Sequence, residues 1–180
     1  MSEIEKIRDE FRPKFPERIT TLFVGESPPR GGTFFYDLAN LSKLFCAMRK
    51  AFEAAQGKDF KSERAFLDYF KECGFYLDDL VHEPINHLGG PIRRRMRRAS
   101  VQKLADSIGK CNPQCIVILM FAIEQDVMDA IQNANLENYP TVHCVPFPAN
   151  GHQRCFRELM ERIIPSLPTD TTKMNGKKST

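Results

Sequence analysis

A glutamate and a serine stand directly after a short apolar run, where a side chain could take part in chemistry. The run, residues 19–24, ends at Gly25, and Glu26, Ser27 and Pro28 follow. Glycine at a strand end lets a ligand approach the backbone, and a stiff proline turn holds neighbouring side chains in place. The carboxylate could stabilise a cation or activate water, and the hydroxyl could position water. The alternative is a proline-rich turn with a solvated glutamate.

Five arginines occupy six consecutive positions in the middle of the chain. Such a cluster repels itself unless it meets an anion, so contact with a phosphate backbone is one interpretation. A solvated loop is the other, and the sequence leaves both open. An arginine in the loop after the first apolar run could extend the same surface. The candidate DNA-backbone contacts are Arg30, Arg93, Arg94, Arg95, Arg97 and Arg98.

Cysteine spacing gives little support for a metal site. The only close pair is Cys111 and Cys115, with no histidine or second pair at zinc spacing beside it. We therefore expect no metal and no cofactor. Free thiols favour a cytoplasmic protein, or a nuclear one in a eukaryote. No apolar run approaches the roughly 20 residues that span a bilayer, so we expect no membrane partner.

Apolar runs alternate with amphipathic segments along the chain, which predicts an α/β fold. The strand candidates are residues 19–24, 75–81, 115–123 and 141–145. The helix candidates begin near Asp37, Ser62, Ser100, Glu124 and Arg154. Strands separated by helices form parallel βαβ units, so we expect a three-layer αβα domain with a central, mainly parallel four-stranded sheet. Ligands bind outside the carboxyl ends of such strands.

The length of 180 residues suits one domain. We place that domain at residues 1–165 and a disordered polar tail at residues 166–180, because the tail has few apolar residues. A net charge of +3 does not by itself indicate a polyanionic partner. We expect a monomer.

Four short motifs resemble those of the uracil-DNA glycosylase superfamily in their order and spacing. Residues 22–29 are similar to its first motif, an apolar strand that ends in Gly-x-x-Pro. Residues 75–81 and 113–123 resemble two further strands of that family, and residues 146–150 occupy the place of its second motif. The resemblance covers residues 20–165, and it identifies the chain as a divergent member.

The resemblance implies a base-excision site. DNA, single- or double-stranded, would present a flipped base, whose N-glycosidic bond would be hydrolysed through an oxocarbenium-like state. The catalytic residues that it implies are Glu26, Ser27 and His152. The substrate-binding residues that it implies are Gly25, Pro28, Phe34, Phe35, Asp78, Asp79, Asn150 and Gly151. The two phenylalanines stand where the family stacks an aromatic ring on the base.

The chain departs from this family at two places that read the base. Asp79, or Asp78, stands at the position of the base-reading asparagine. An ionised carboxylate only accepts hydrogen bonds, so it would repel the O4 of uracil and suit an exocyclic amine. Val145 or Phe147 aligns with the second-motif histidine, and neither can donate a hydrogen bond. His152 is close enough in sequence to substitute.

Three functions remain open from sequence. The first is a DNA glycosylase, and the second is a non-catalytic nucleic-acid or nucleobase-binding protein of the same fold. The third is an enzyme that acts on a free nucleoside or another small molecule. The base-excision hypothesis requires Glu26, Asp79 and the turn at residues 150–152 to converge around a slot that fits a nucleobase.

Overall fold

Parallel strands form the centre of the computed structural model, which describes residues 3–14 and 18–170. The strands of this described part are β1 (Thr21–Gly25), β2 (Phe75–Asp79), β3 (Cys115–Ile118) and β4 (Thr141–Cys144). Their order across the sheet is β2-β1-β3-β4, and each neighbouring pair is parallel. The predicted α/β class and the parallel four-stranded sheet are confirmed.

Helices cover both faces of this sheet. Within the described residues they are α1 (Glu3–Phe11), α2 (Lys43–Gln56), α3 (Glu63–Glu72), α4 (Gly90–Cys111), α5 (Glu124–Asn133) and α6 (Gln153–Ile163). Helix α4 packs against α5, and α2 packs against α6. Right-handed crossovers place these two pairs on opposite faces, which gives the predicted three layers. No helix among residues 3–14 and 18–170 is long and apolar enough to cross a membrane.

The core lies on both faces of the two central strands. Every residue of β1 and β3 is buried, so these strands have no polar face and read as continuous apolar runs. Aromatic rings from the helices fill one face of the sheet. Phe23 of β1, for example, lies 5.2 Å from Phe70 of α3, measured between ring centroids. This packing fixes the strand ends at which the candidate site lies.

The third predicted strand is too long. Strand β3 ends at Ile118, and Phe121–Ile123 form a short 3-10 helix. Ile123 is buried whereas Phe121 is exposed. The apolar run therefore covers a strand and the turn that follows it, a distinction that hydrophobicity alone cannot make.

One predicted helix start is wrong and another is confirmed. Helix α2 begins at Lys43, not near Asp37, because Ser42 caps it by accepting a hydrogen bond from the Phe45 backbone at 3.1 Å. A serine at the cap satisfies a backbone N–H that has no partner inside the helix. Ser62 caps α3 in the same way, as predicted.

The arginine cluster lies in helix α4 and not in a loop. The helix begins at Gly90, with Gly89 as its cap and Pro91 in its first turn. The predicted start at Ser100 is therefore wrong. The Ser100 hydroxyl lies inside the helix and donates to the Met96 carbonyl at 3.0 Å. Proline fits a first helical turn, where its missing N–H would have no partner.

Two described segments lie outside the strands and helices that the sequence predicted, one near each end of the chain. Helix α1 precedes the first strand, and its Phe11 is buried. At the other end Leu167 is buried, and the Pro168 carbonyl accepts a hydrogen bond from the Thr20 hydroxyl at 2.7 Å. The predicted boundary at residue 165 is thus too early, since residues 166–170 pack against the amino end of the sheet. The rest of the predicted tail, residues 171–180, lies outside the described residues.

Candidate functional site

Gly25 makes room for a carboxylate from the neighbouring strand. Gly25 of β1 and Asp79 of β2 are partners in the strand register. A Cβ atom added at Gly25 would lie 2.5 Å from Asp79 Oδ1, closer than non-bonded atoms approach. The Asp79 side chain therefore crosses the end of β1. The glycine that we expected to admit a ligand admits a side chain of the protein itself.

The guanidinium of Arg8 pairs with this buried carboxylate. Arg8 Nη2 donates to Asp79 Oδ2 at 2.6 Å, and Arg8 Nε lies 3.5 Å from Asp78 Oδ1. Only 2% of the Arg8 side chain is exposed. Its Cζ lies 5.2 Å from the centroid of the Phe34 ring, over the ring face. A planar cation thus fills the space between an aromatic ring and two carboxylates, which we call the Arg8 slot.

Burial and pairing shift the two carboxyl groups of the slot in opposite directions. Burial raises the pKa of Asp79 to about 6, although the charge of Arg8 opposes the rise. Burial also acts to raise the pKa of Asp78, but a hydrogen bond from His82 and the charge of Arg8 outweigh it and lower that pKa. The His82 Nε2 atom lies 3.1 Å from Asp78 Oδ1. Asp78 therefore stays ionised at a lower pH than Asp79.

Glu26 contacts a different pair of arginines. Arg93 donates hydrogen bonds from Nε and Nη2 to the two oxygens of the Glu26 carboxylate, and the bond from Nε to Oε1 measures 2.7 Å. Arg97 Nη1 lies 3.6 Å from the same Oε1 and donates to the Ala122 carbonyl at 2.7 Å. Glu26 is buried, whereas the side chain of Arg93 is 28% exposed. The pair therefore lies at the boundary with solvent, between β1 and α4.

The predicted DNA-backbone contacts fall into two groups of three. Three arginines pair with carboxylates of the protein, and these are Arg93, Arg97 and Arg98. The other three are exposed and form no ion pair with any residue that the structure describes, and these are Arg30, Arg94 and Arg95. Only the second group is free to meet an external anion without breaking an internal contact.

The remaining residues of the first motif are structural in part. The Ser27 hydroxyl accepts a hydrogen bond from the Ile85 backbone at 3.4 Å, and Pro28 is buried. Phe35 lies in the core, 5.8 Å from Phe45 of α2 in ring-centroid distance. Phe35 therefore cannot stack on a base without core rearrangement. Its neighbour in sequence, the phenylalanine of the Arg8 slot, has the ring that faces the strand ends.

The turn at residues 150–152 belongs to the loop after the edge strand of the sheet. It follows β4, and β3 separates β4 from β1. Asn150, Gly151 and His152 are exposed, and no polar contact among the described residues joins their side chains to the rest of the site. The structure thus joins the backbone of Gly25 and Glu26 to the residues that follow Asp79, since Leu80 and Val81 donate to their carbonyls at 2.9 Å each.

Sequence reasoning missed Arg8 and the helix that carries it. The signal was present, because Ile4, Ile7 and Phe11 follow the three- and four-residue spacing of a helix with one apolar face. Phe11 stacks on Tyr36 at a centroid distance of 5.2 Å. Helix α1 is thereby held over the loop that follows β1, and Arg8 points into the slot.

A cavity of about 250 Å³ adjoins the Arg8 slot. Asp78, Asp79 and His82 line one part of it, and Lys103 and Lys110 line another. It is smaller than the roughly 300–1,000 Å³ that small-molecule sites enclose. A larger cavity, of about 700 Å³, lies at the opposite, amino end of the sheet. The smaller cavity is the one next to the strand-end carboxylates.

Fold and site together define an α/β protein with a parallel four-stranded sheet and arginine-paired carboxylates at the carboxyl ends of two adjacent strands. No protein-family model matches the chain, and no curated protein matches it either. The relationship to the uracil-DNA glycosylase superfamily stays a prediction that is based on the four motifs.

Proposed function

We propose that this protein binds DNA at the carboxyl end of its sheet and hydrolyses the N-glycosidic bond of an extruded base. The observation that supports it best is the position of Glu26, a buried carboxylate directly after Gly25, whose strand partner is Asp79. A base held at the Asp79 carboxylate would have its sugar near Glu26. Two acidic groups on adjacent strands would then divide base recognition and sugar chemistry between them.

The proposed reaction balances with water as its second substrate. The bond between C1′ and the base nitrogen breaks, and its electron pair leaves with the base. The Glu26 carboxylate stabilises the positive charge that develops on the sugar, as oxyanions do in glycoside hydrolysis. It also accepts a proton from water, whose oxygen forms the new bond to C1′, and the proton then passes to the departing base.

Arg93 would have to release Glu26 before this chemistry. A carboxylate that is gripped by a guanidinium fork is a poor proton acceptor. A DNA phosphate presents the same planar pair of oxygens to arginine, and Arg93 is partly exposed. We propose that the DNA backbone takes Arg93 away from Glu26. DNA binding would thereby prepare the catalytic carboxylate.

Exposed apolar side chains surround the same end of the sheet. Among the described residues, four exposed large hydrophobic side chains lie in or next to the segments that follow the strands, and these are Leu38, Ile92, Phe121 and Phe147. Aromatic rings among arginines are typical of surfaces that bind unstacked nucleic-acid bases. The unpaired arginines at positions 30, 94 and 95 supply the positive charge that such a surface needs.

A second candidate is a nucleic-acid-binding protein of the same fold that does not hydrolyse its ligand. The pairing of Glu26 with both Arg93 and Arg97 favours it, because two cations neutralise the carboxylate that catalysis needs. In this alternative the arginines and exposed aromatic rings bind DNA, and Glu26 only positions them.

A glycosylase assay separates the two candidates. Oligonucleotides that carry uracil, hypoxanthine, xanthine or alkylated bases would be incubated with the protein, and abasic sites would be cleaved with alkali. We expect release of at least one base by the wild type, and loss of release with retained DNA affinity in Glu26→Gln. Glu83→Gln, an exposed glutamate after β2, is the matched control and should behave as wild type. Salt-dependent DNA binding without any base release would establish the second candidate, and absence of DNA binding would overturn both.

A further inference from the structure

We infer that Arg8 is an exchangeable occupant of its slot, and that the ligand which replaces it presents the hydrogen-bonding edge of guanine. The inference rests on the proposed function, because it names the base class that the same site would take. It starts from what the guanidinium does in the slot: it lies over one ring, donates a hydrogen bond to Asp79 and places its Nε 3.5 Å from an oxygen of Asp78.

The donor pattern of Arg8 selects among the bases. Arg8 Nη2 donates to Asp79, and its neighbouring Nε faces Asp78. Of the four DNA bases, only guanine carries a ring N–H beside an exocyclic amine on one edge. Adenine and cytosine place an acceptor beside their amine, and thymine places its single N–H between two carbonyl oxygens. An acceptor facing a carboxylate is repelled, so guanine fits the slot best.

Within the described part of the chain, the guanidinium of Arg8 lacks hydrogen-bond partners for two of its three nitrogen atoms. Its Nε and Nη1 atoms are buried and have no hydrogen-bond partner among the described residues. Buried donors without partners are rare in folded proteins because they lose water and gain nothing in return. A buried ion pair also has to overcome the desolvation of both charges. Arg8 is therefore held less firmly than its burial suggests.

Helix α1 is attached to the rest of the protein by side-chain packing and by contacts at the surface. Phe11 stacks on Tyr36, and Glu10 pairs with Arg64 at 3.2 Å, with both of these charged side chains more than half exposed. Exposed ion pairs contribute little to stability. Withdrawal of α1 would thus free the slot while leaving the sheet intact.

The adjoining cavity supplies the room that a purine needs. It shares Asp78 and Asp79 with the slot, so removal of the guanidinium joins the two spaces. The same cavity is lined by three basic side chains, Arg12, Lys103 and Lys110. These could meet the phosphate of a nucleotide whose base occupies the slot. In DNA the matching substrate is a guanine lesion that keeps the ring N–H and 2-amino edge, such as 7-methylguanine.

The test is calorimetric titration of guanosine into the wild type, Arg8→Ala and Arg8→Gln. If Arg8 leaves the slot free in no more than about a tenth of the molecules, its removal should tighten guanosine binding at least about tenfold. Arg8→Gln keeps one nitrogen that donates hydrogen bonds but loses the charge, and it should lie between the other two proteins. Arg154→Ala is the control, since the Arg154 guanidinium also binds a carboxylate, that of Glu158 at 2.7 Å, but lies in α6 and is 84% exposed. It should bind guanosine as weakly as the wild type.

Inosine sharpens the assignment, because it differs from guanosine only by the missing 2-amino group. We expect Arg8→Ala to bind inosine about tenfold or more weakly than guanosine, and to bind adenosine, cytidine and uridine no better than inosine. Equal binding of all five nucleosides, or no gain over the wild type, would overturn the inference. Failure of both Arg8 variants to fold would also overturn it, since a group that the fold requires is not an exchangeable occupant.

The outcome is separable from that of the proposed function. Guanosine binding by Arg8→Ala reports on the slot alone and needs neither DNA nor hydrolysis. DNA binding with base release but no guanosine preference would overturn only the inference. Guanosine binding without any DNA affinity would overturn only the proposed function and indicate a ligand that is a free nucleoside or nucleotide.

Discussion

Two carboxylate–arginine contacts lie at the ends of adjacent strands, and they differ mainly in burial. The Arg8 contact with Asp79 is closed, with 2% of the Arg8 side chain and 6% of the Asp79 side chain exposed. The Arg93 contact with Glu26 is open on one side, since Arg93 is 28% exposed. The first arginine comes from a terminal helix, and the second comes from a helix that packs on the sheet.

This difference in burial determines which external group can replace one partner of each ion pair. A phosphate in solution can compete for Arg93, because that guanidinium already meets water. Arg8 can be replaced only by a group that enters the slot, and such a group must satisfy two buried carboxylates at once. Both contacts pair an arginine with a carboxylate. The Arg93 contact can therefore respond to anions in solution, whereas the Arg8 contact accepts only a group whose shape fits the slot.

Removal of the carboxylate should lower the stability of the protein more at the closed contact than at the open one. Asp79→Ala would leave a buried guanidinium without its main partner, and we expect it to lower the free energy of unfolding by about 3–5 kcal/mol. Glu26→Ala should lower it by only about 1–2 kcal/mol, because Arg93 can turn to water. Urea unfolding at pH 7 measures both. Equal losses would show that burial is not what separates the two contacts.

The closed contact should also respond unequally to loss of its two partners. Arg8→Ala should destabilise less than Asp79→Ala, because a stranded carboxyl group can take up a proton whereas a guanidinium keeps its charge. The reverse order would mean that packing of the Arg8 guanidinium on the Phe34 ring contributes more than its pairing with the carboxylates does.

The closed contact predicts a pH dependence with a definite sign. The pKa of Asp79 is about 6 in the folded protein against 3.8 for an ordinary aspartate, so the folded state holds the extra proton between these values. The contribution of Asp79 to stability is therefore complete below about pH 4 and falls as pH rises through 6, by up to about 3 kcal/mol.

Comparison with a variant that lacks the Asp79 carboxyl group isolates this contribution. The unfolding free energy of Asp79→Asn minus that of the wild type should rise between pH 4 and pH 7, because only the wild type loses the contribution of Asp79 as the pH rises. Asp59→Asn, at an exposed aspartate, is the control and should give a flat difference. A flat difference for both variants would contradict the raised pKa.

Gly25 couples the two strand ends, and its substitution should have a smaller effect. A Cβ atom there would lie 2.5 Å from Asp79 Oδ1, so Gly25→Ala must displace that carboxylate, at a cost of about 1–3 kcal/mol. In an Asp79→Ala background the same substitution should cost little, because the colliding atom is gone. Gly31→Ala, with nothing within 4 Å of its added Cβ, is the control. Additive losses in the double variant would contradict the close approach.

The spacing of apolar residues predicted most of the strands and helices. An element that buries one or both of its faces has apolar residues at regular intervals in the sequence. The strand around Phe23 and the cap at Ser62 followed directly from such patterns. The start of α4 did not, because a helix whose first turns carry arginines has no continuous apolar face there. Its arginines are held by Glu26 and by acidic residues of α5, which are distant in the sequence.

The site was predictable only as far as single strand ends. The position of Glu26 at the end of β1 followed from the apolar run before it. The pairing of Asp79 with Arg8 did not, since 71 positions separate the two residues and charge alone assigns no partner. The same limit applies to the turn at residues 150–152, because the sequence does not say that β4, the strand before it, is separated from β1 by β3. The order of the motifs can be read from the sequence, whereas their meeting in space depends on the order of the strands in the sheet.

The smallest effects on stability, and the clearest on binding, should come from the two free arginines of α4. Arg94 and Arg95 are exposed and make no ion pair with the described residues, so alanine at either position should change the unfolding free energy by less than about 0.5 kcal/mol. If each contacts a DNA phosphate, each substitution should lower the slope of log affinity against log salt by about 1. Fluorescence anisotropy with a labelled oligonucleotide measures that slope.

Arg98 provides the control within the same helix, because its guanidinium already pairs with Asp126 at 3.1 Å. Arg98→Ala should leave the slope nearly unchanged if internal pairing keeps that side chain from the backbone. A slope that changes equally in all three variants would mean that DNA takes the paired arginines too. Release of Arg93 from Glu26 would then be part of a rearrangement of the whole first half of α4, and the contrast between an open and a closed contact would apply only to the free protein.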